Sequence, residues 1–157
     1  MSILCCFIKE QYFIDHSSFI KMLDPGNTNK QSHRTYLCLK ITTDGNDYYI
    51  PLRNNLGNDV RPFGRIGHAV PSSSRSDAGL DYRYALVIND ASYIEVPSVQ
   101  KIPNSQFNII NRDFTLIESE FSSYLAGFKK ALKKNRLARE ALYRESALIN
   151  FTSELSK

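Results

Sequence analysis

The sequence contains no tryptophan, two methionines and three cysteines in 157 residues. Cys5 and Cys6 are adjacent, which makes them poor disulfide partners, and Cys38 leaves an odd count. A disulfide framework is therefore not expected, and a reducing, cytoplasmic setting is. His16, His33 and His68 are scattered, and no Cys or His pair has the spacing of zinc ligands. No metal and no cofactor is expected. No run of about 18 apolar residues occurs, so neither a transmembrane helix nor a membrane partner is expected. The apolar patch from Ile3 to Ile8 lacks a basic leader and the length of a secretory core. It reads as part of a buried first strand, Ile3 to Lys9. With no internal repeat or low-complexity segment, residues 1–157 read as one domain.

What is present is ordinary globular composition, 42% hydrophobic and 23% charged, with a net charge of +4. That charge permits a nucleic-acid partner without demanding one. Its distribution says more. Lys129, Lys130, Lys133, Lys134, Arg136 and Arg139 fall in one short stretch, where a solvated helix face is the plainer reading. Arg53, Arg61, Arg65, Arg75 and Arg83 lie in a region rich in Gly, Pro and Ser. Guanidinium forks match phosphate geometry, and loops on a rigid scaffold are where binding concentrates.

Hydropathy patterning predicts an α+β fold. Asp15 reads as the cap of a short helix with Phe19, Ile20 and Leu23 on its apolar face, ended by Asp24-Pro25-Gly26-Asn27. Arg34 to Thr43 alternates, with Arg34, Tyr36, Cys38 and Lys40 on one face. Asp44-Gly45-Asn46 is a hairpin turn, and Asp47 to Leu52 returns as the second strand. Arg34 and Arg53 would then sit as neighbours at the open end of the hairpin. Asn54 to Leu80 has little regular signal, as functional loops often do. Tyr84 to Asn89 and Ser92 to Val96 read as strands. From Asp113 the apolar period changes to three and four, through Phe114, Ile117, Phe121, Tyr124, Leu125, Phe128 and Leu132. Asn111 or Asp113 reads as this helix's cap, Asn135 as a break, and Leu137 to Leu155 as a second helical run.

Three stretches together carry a resemblance. The first is His33-Arg34-Thr35-Tyr36-Leu37-Cys38-Leu39-Lys40-Ile41 followed by Tyr48-Tyr49-Ile50-Pro51-Leu52-Arg53. The second is Ser72 to Tyr82, ending Ala78-Gly79-Leu80-Asp81-Tyr82, followed by Ala85-Leu86-Val87-Ile88-Asn89-Asp90. The third is the basic C-terminal region ending at Asn150-Phe151. These resemble the toxin of a type III toxin–antitoxin system, in the TenpN branch of the ToxN/AbiQ endoribonucleases. The resemblance implies a compact, strongly twisted antiparallel sheet with surrounding helices, similar to the MazF/Kid fold. It implies metal-independent cleavage of cellular or phage RNA. It also implies neutralisation by a small RNA antitoxin of pseudoknot repeats in a closed toxin–RNA assembly, and abortive infection as a phage defence. ToxN-like members carry a basic residue where Arg34 stands. They also carry a Thr-Ser-Pro-Lys stretch after the hairpin's Pro-Leu. Arg53-Asn54-Asn55-Leu56 stands there instead, so the place of the active site transfers and the roles of its serine and lysine do not.

Metal-free cleavage needs the ribose 2′-hydroxyl as nucleophile, a base, an acid and a cation for the transition-state charge. Arg34, Arg53 and Arg75 suit the cation. Arginine does not deprotonate in proteins, so the proton shuttle falls to another group. His68 is the candidate, since histidine titrates near neutrality; a surface or structural histidine is the plainer alternative. Asp81 would orient Arg75 or His68, or simply start a strand. Tyr82 would contact phosphate or stack on a base, or pack in the core. Gly79 marks a place where a side chain would obstruct. Asn54 and Asn55 would donate amide hydrogen bonds, and Arg61 and Arg65 would extend the site. Lys30, Tyr36 and Lys40 would continue an RNA groove, and Lys129, Lys130 and Lys133 would meet the antitoxin. A non-catalytic RNA-binding regulator of the same fold is the alternative, kept open by the missing serine and lysine. A protein–protein adaptor is a third reading, and it leaves the arginine-rich loop unexplained.

Overall fold

The computed structural model describes residues 3–57 and 66–156. The described chain is α+β, with a seven-stranded antiparallel sheet and a long helix towards the C-terminus. The strands are β1 (Cys5–Ile8), β2 (Leu37–Thr43), β3 (Asn46–Arg53), β4 (Gly67–Ala69), β5 (Gly79–Asp81), β6 (Leu86–Val87) and β7 (Ile94–Glu95). Their order is β4-β5-β3-β2-β1-β7, with β6 also paired to β3. The helices are α1 (Glu10–Asp15), α2 (Thr28–Lys30), α3 (Asn104–Lys133) and α4 (Thr152–Leu155). No described helix is long and apolar enough to cross a membrane.

The hairpin of β2 and β3 forms as its sequence predicts. Asp44 and Gly45 both have positive φ, which is the backbone a two-residue primed turn requires. The register runs from Thr43 opposite Asn46 to Cys38 opposite Pro51. β2 nevertheless begins at Leu37, because Gln31–Thr35 forms a π-helical turn that continues α2 and takes Arg34 out of the strand. The expected basic and aromatic face is also corrected. Tyr36, at the end of the π-helical turn, and Cys38 are buried, while Lys40 on the same face of β2 is half-buried.

Other expectations shift for traceable reasons. The first helix lies before Asp15, where Tyr12 and Phe13 enter the core, and Asp15 ends it. Asp15 instead accepts hydrogen bonds from Gln11 and Tyr93. The stretch expected to lack regular structure contains β4 and most of β5, strands too short to register as periodicity. The expected strands from Tyr84 and Ser92 shorten to β6 and β7, each after a 3-10 turn. The long helix starts at Asn104 rather than near Asp113. Pro103 precedes it, and the buried Gln106 and Ile110 extend its inner face by about two turns. A polar Gln106 in that face hid the continuation. Asn135 does break the helix, in left-handed conformation with φ 56°. Residues 137–155 then form 3-10 turns and the single turn α4, not a second long helix.

Ile110, Ile117, Phe121 and Phe128 of α3 are completely buried. Burying such side chains contributes about 1.5–3 kcal/mol each. Phe121 meets Tyr48 edge-on at 5.1 Å and Tyr82 at 5.7 Å, which joins α3 to β3 and to the 3-10 turn after β5.

All three cysteines are free and buried. Burial pushes the thiols of Cys5 and Cys6 up to about 12, and Cys38 well above the ordinary value. A thiol reagent at mildly alkaline pH is expected to label the native protein slowly and the unfolded protein fully. Rapid labelling of the native chain would contradict this burial.

Candidate functional site

The end of the β2–β3 hairpin is where basic side chains gather. Arg53, the last residue of β3, and Arg34, from the π-helical turn before β2, line one cavity of about 430 Å³ with Lys30, Asn54, Asn55, Thr35 and Asp24. Arg34 and Asn54 also line a second cavity of about 430 Å³, with Arg75, Lys101, Ser72, Ser74 and Gln106. Arg34, Leu52 and Asn54 are common to both, so the cavities abut as one groove. Arg34 thus lines both cavities, beside Arg53 in the first and Arg75 in the second.

Each cation is held differently. Arg53 Nη1 donates to Asp81 Oδ2 at 3.1 Å, and its guanidinium lies 5.2 Å from the Tyr84 ring centre. Asp81 on β5 is fully buried and also accepts from Arg83 Nε at 3.1 Å and Nη2 at 2.9 Å. It therefore orients Arg53 and Arg83, not Arg75 or His68 as the sequence reading had it. Arg75 Nη1 donates to Asn54 Oδ1 at 2.6 Å. Lys30 Nζ lies 3.1 Å from Asp24 Oδ1. Asn55 Oδ1 accepts from the Gly57 N–H at 2.8 Å, which spends it on the turn.

Asp24 is the site residue that sequence reasoning missed. It lies in left-handed conformation with φ 47°, in the turn that its Pro-Gly-Asn sequel signals. The Thr35 hydroxyl donates to Asp24 and holds its carboxyl below the usual range; burial opposes this and Lys30 assists it. Lys101 was also missed, because nothing in the Pro97–Pro103 segment marks it as near Arg75. Tyr36 does not line the groove. Its oxygen accepts from the Leu23 N–H at 2.8 Å, so it braces the wall that carries Leu23 and Asp24.

His68 is a correction. It is buried on β4 with Nδ1 2.8 Å from Glu120 Oε1 and Nε2 3.0 Å from Asp113 Oδ2, both on α3. Both ring nitrogens are occupied and His68 lines neither cavity, so it ties β4 to α3. Tyr82 follows its core-packing alternative. It is buried, and its hydroxyl donates to Glu120 Oε1 at 2.7 Å. Burial and that hydrogen bond both push its phenol upward. Asp113, expected as a helix cap, sits inside α3. Hydrogen bonds from Arg112 and His68 hold its carboxyl down at about 2. A folded value below the ordinary carboxylate value means stabilisation that is complete above about pH 4 and lost as pH falls through about 2. Asp113→Asn is expected to flatten the decline in urea midpoint between those pH values. An unchanged decline would remove this pair from the acid transition.

The remaining basic candidates lie elsewhere. Lys40 pairs with Asp47 at 3.8 Å, and Lys129 pairs with Asp44 at the hairpin tip. Lys130 lines a smaller cavity of about 250 Å³ with Lys134 and Arg136, and Lys133 is exposed near the end of α3. Arg61 and Arg65 lie outside the described residues. Among the described residues no group of three or more His, Cys, Asp or Glu side chains is arranged to hold a metal ion. Comparison with known proteins finds no family model, no curated protein and no solved structure that matches this chain.

Proposed function

We propose that the groove binds RNA and cuts it without a metal, giving a 2′,3′-cyclic phosphate and a 5′-hydroxyl. The observation that carries this reading is the shared cavity of Arg34 and Arg53, continued on the far side of Arg34 by Arg75. Arg53, braced by a buried carboxylate, suits preorganised stabilisation of a phosphorane-like transition state. With His68 tied to α3, proton transfer falls to the groove's own pair. The Asp24 carboxylate accepts the 2′-hydroxyl proton as O2′ bonds to phosphorus. The Lys30 ammonium donates to O5′ as the P–O5′ bond breaks. Asp24's depressed affinity for protons makes it a weak base, so a slow reaction is expected.

The resemblance extends the proposal to a type III toxin with a MazF/Kid-like fold. In that reading the toxin acts in the cytoplasm, is neutralised by a pseudoknot RNA and serves phage defence. A non-catalytic RNA-binding regulator stays as the second reading. One observation favours it: both Asp24 oxygens already accept, from Thr35 and Lys30.

Incubating purified, RNA-free protein with cellular RNA in excess EDTA separates the two. Cyclic-phosphate ends are expected, with a loss of about 100-fold or more in Arg53→Ala. RNA left intact by protein that still binds it would establish the regulator.

A further inference from the structure

The two halves of the groove differ in how their charge is balanced. On one side Arg53 faces the buried Asp81 and Lys30 faces Asp24. On the other, Arg34, Arg75 and Lys101 converge, and no acidic side chain among the described residues lines that cavity. Arg75 is held by the neutral amide of Asn54, and Arg34 and Lys101 form no ion pair with any described residue. The hydroxyls of Ser72 and Ser74 line the same space and add neutral donors. Three cations around one concavity repel one another until an anion enters, which makes this half a binding site in its own right.

We infer that the groove holds two successive phosphates of one RNA strand. One lies against Arg53 and Arg34, and the next against Arg75 and Lys101, with Arg34 between them. This rests on the RNA-binding part of the reading above and not on cleavage. The cavities share Arg34, Leu52 and Asn54, so they adjoin. Adjoining cavities suit neighbouring phosphates on one strand. The ligand class is therefore single-stranded RNA with at least two linkages, tracked by cations along its backbone. The halves do different work. Arg53 is fixed by Asp81 and stacked near Tyr84, whereas Arg75 is exposed on a loop. Arg75 is a substrate-binding residue: it grips the flanking phosphate equally in ground and transition states, so its loss raises KM and leaves kcat.

The test uses an uncleavable probe, a fluorescent 2′-O-methyl trinucleotide with two phosphodiester linkages. Variants replace either linkage with a neutral methylphosphonate. Wild-type protein is expected to lose affinity when either linkage is neutralised. Arg75→Ala is expected to become indifferent to one of them and stay sensitive to the other. The slope of log K against log salt should fall from about −1.4 to about −0.7, one phosphate's worth for a single strand. Lys101→Ala should act on the same linkage as Arg75→Ala. Wild-type protein indifferent to one linkage, or Arg75→Ala equally sensitive to both, overturns the proposal. Protein that shows the expected pattern but never cuts RNA keeps this inference and ends the endonuclease reading. Protein that binds no trinucleotide ends both.

Discussion

Replacing Asp81 with alanine is expected to lower folding stability by about 3–5 kcal/mol, read as a shift in urea midpoint at unchanged slope. The size follows from what is left behind. Asp81 is fully buried and bonds two guanidinium groups, and the Arg83 side chain is itself only 13% exposed. Removing the carboxylate strands that cation in a place water barely reaches. Burying a charge without its partner costs far more than the pair contributes while intact. Arg53 is 30% exposed and keeps part of its hydration, so it adds less to the loss. Asp81→Leu combined with Arg83→Met is expected to recover much of the stability, because a buried pair replaced by apolar groups of similar size is often neutral. The double variant should still handle RNA poorly, since Arg53 has lost the group that aims it. A loss below about 1 kcal/mol in Asp81→Ala would mean that Arg83 finds water or another partner.

Gly79→Ala is the second large effect. A Cβ at this position would lie 2.4 Å from the His68 carbonyl oxygen and 2.5 Å from Leu56 Cδ1. The leucine can move, but the carbonyl belongs to the neighbouring strand. Gly79 pairs with Ala69 of β4 on one side and with Arg53 of β3 on the other. Relief of the clash must therefore push β5 away from one of them. The expected cost is about 1–3 kcal/mol. Displacement of β5 also moves Asp81 relative to Arg53, so RNA handling should fall more than stability does. Gly67→Ala is a milder control, with its Cβ 2.9 Å from the Leu80 carbonyl oxygen. Amide exchange across the β3–β5 pairing would read the displacement directly. Exchange unchanged from wild type in Gly79→Ala would show that β4 gives way instead.

Much of this arrangement is visible in the order of residues, and some of it is not. Asp44-Gly45 states the hairpin, and the three-and-four spacing from Phe114 to Leu132 states most of α3, because each signal is local. Gly79 announces a crowded place before its neighbours are known. The neighbourhood of Arg34 and Arg53 was inferred from a hairpin end, and they do share a cavity. The route differs, since Arg34 arrives there on a π-helical turn. That turn depends on burying Gln31 and Ser32, which no local pattern advertises. Tyr36 and Lys40 were placed on one RNA face by strict alternation, but Tyr36 falls in the turn before β2 and is buried, and Lys40 is half-buried and paired with Asp47. His68 looked free because its partners are 45 and 52 residues away.

The sequence by itself determined the secondary elements with short-range signatures and the kinds of charge available. Tertiary structure decided which cations keep a carboxylate and which do not. It gave Arg53 to Asp81, His68 to Glu120 and Asp113, and Lys129 to Asp44, and it left Arg34 and Lys101 lining the groove without an acidic partner among the described residues. The physical reason is range. Turn chemistry and helical periodicity act over a few residues, whereas a charge's partner is chosen by distance and burial after the chain has closed.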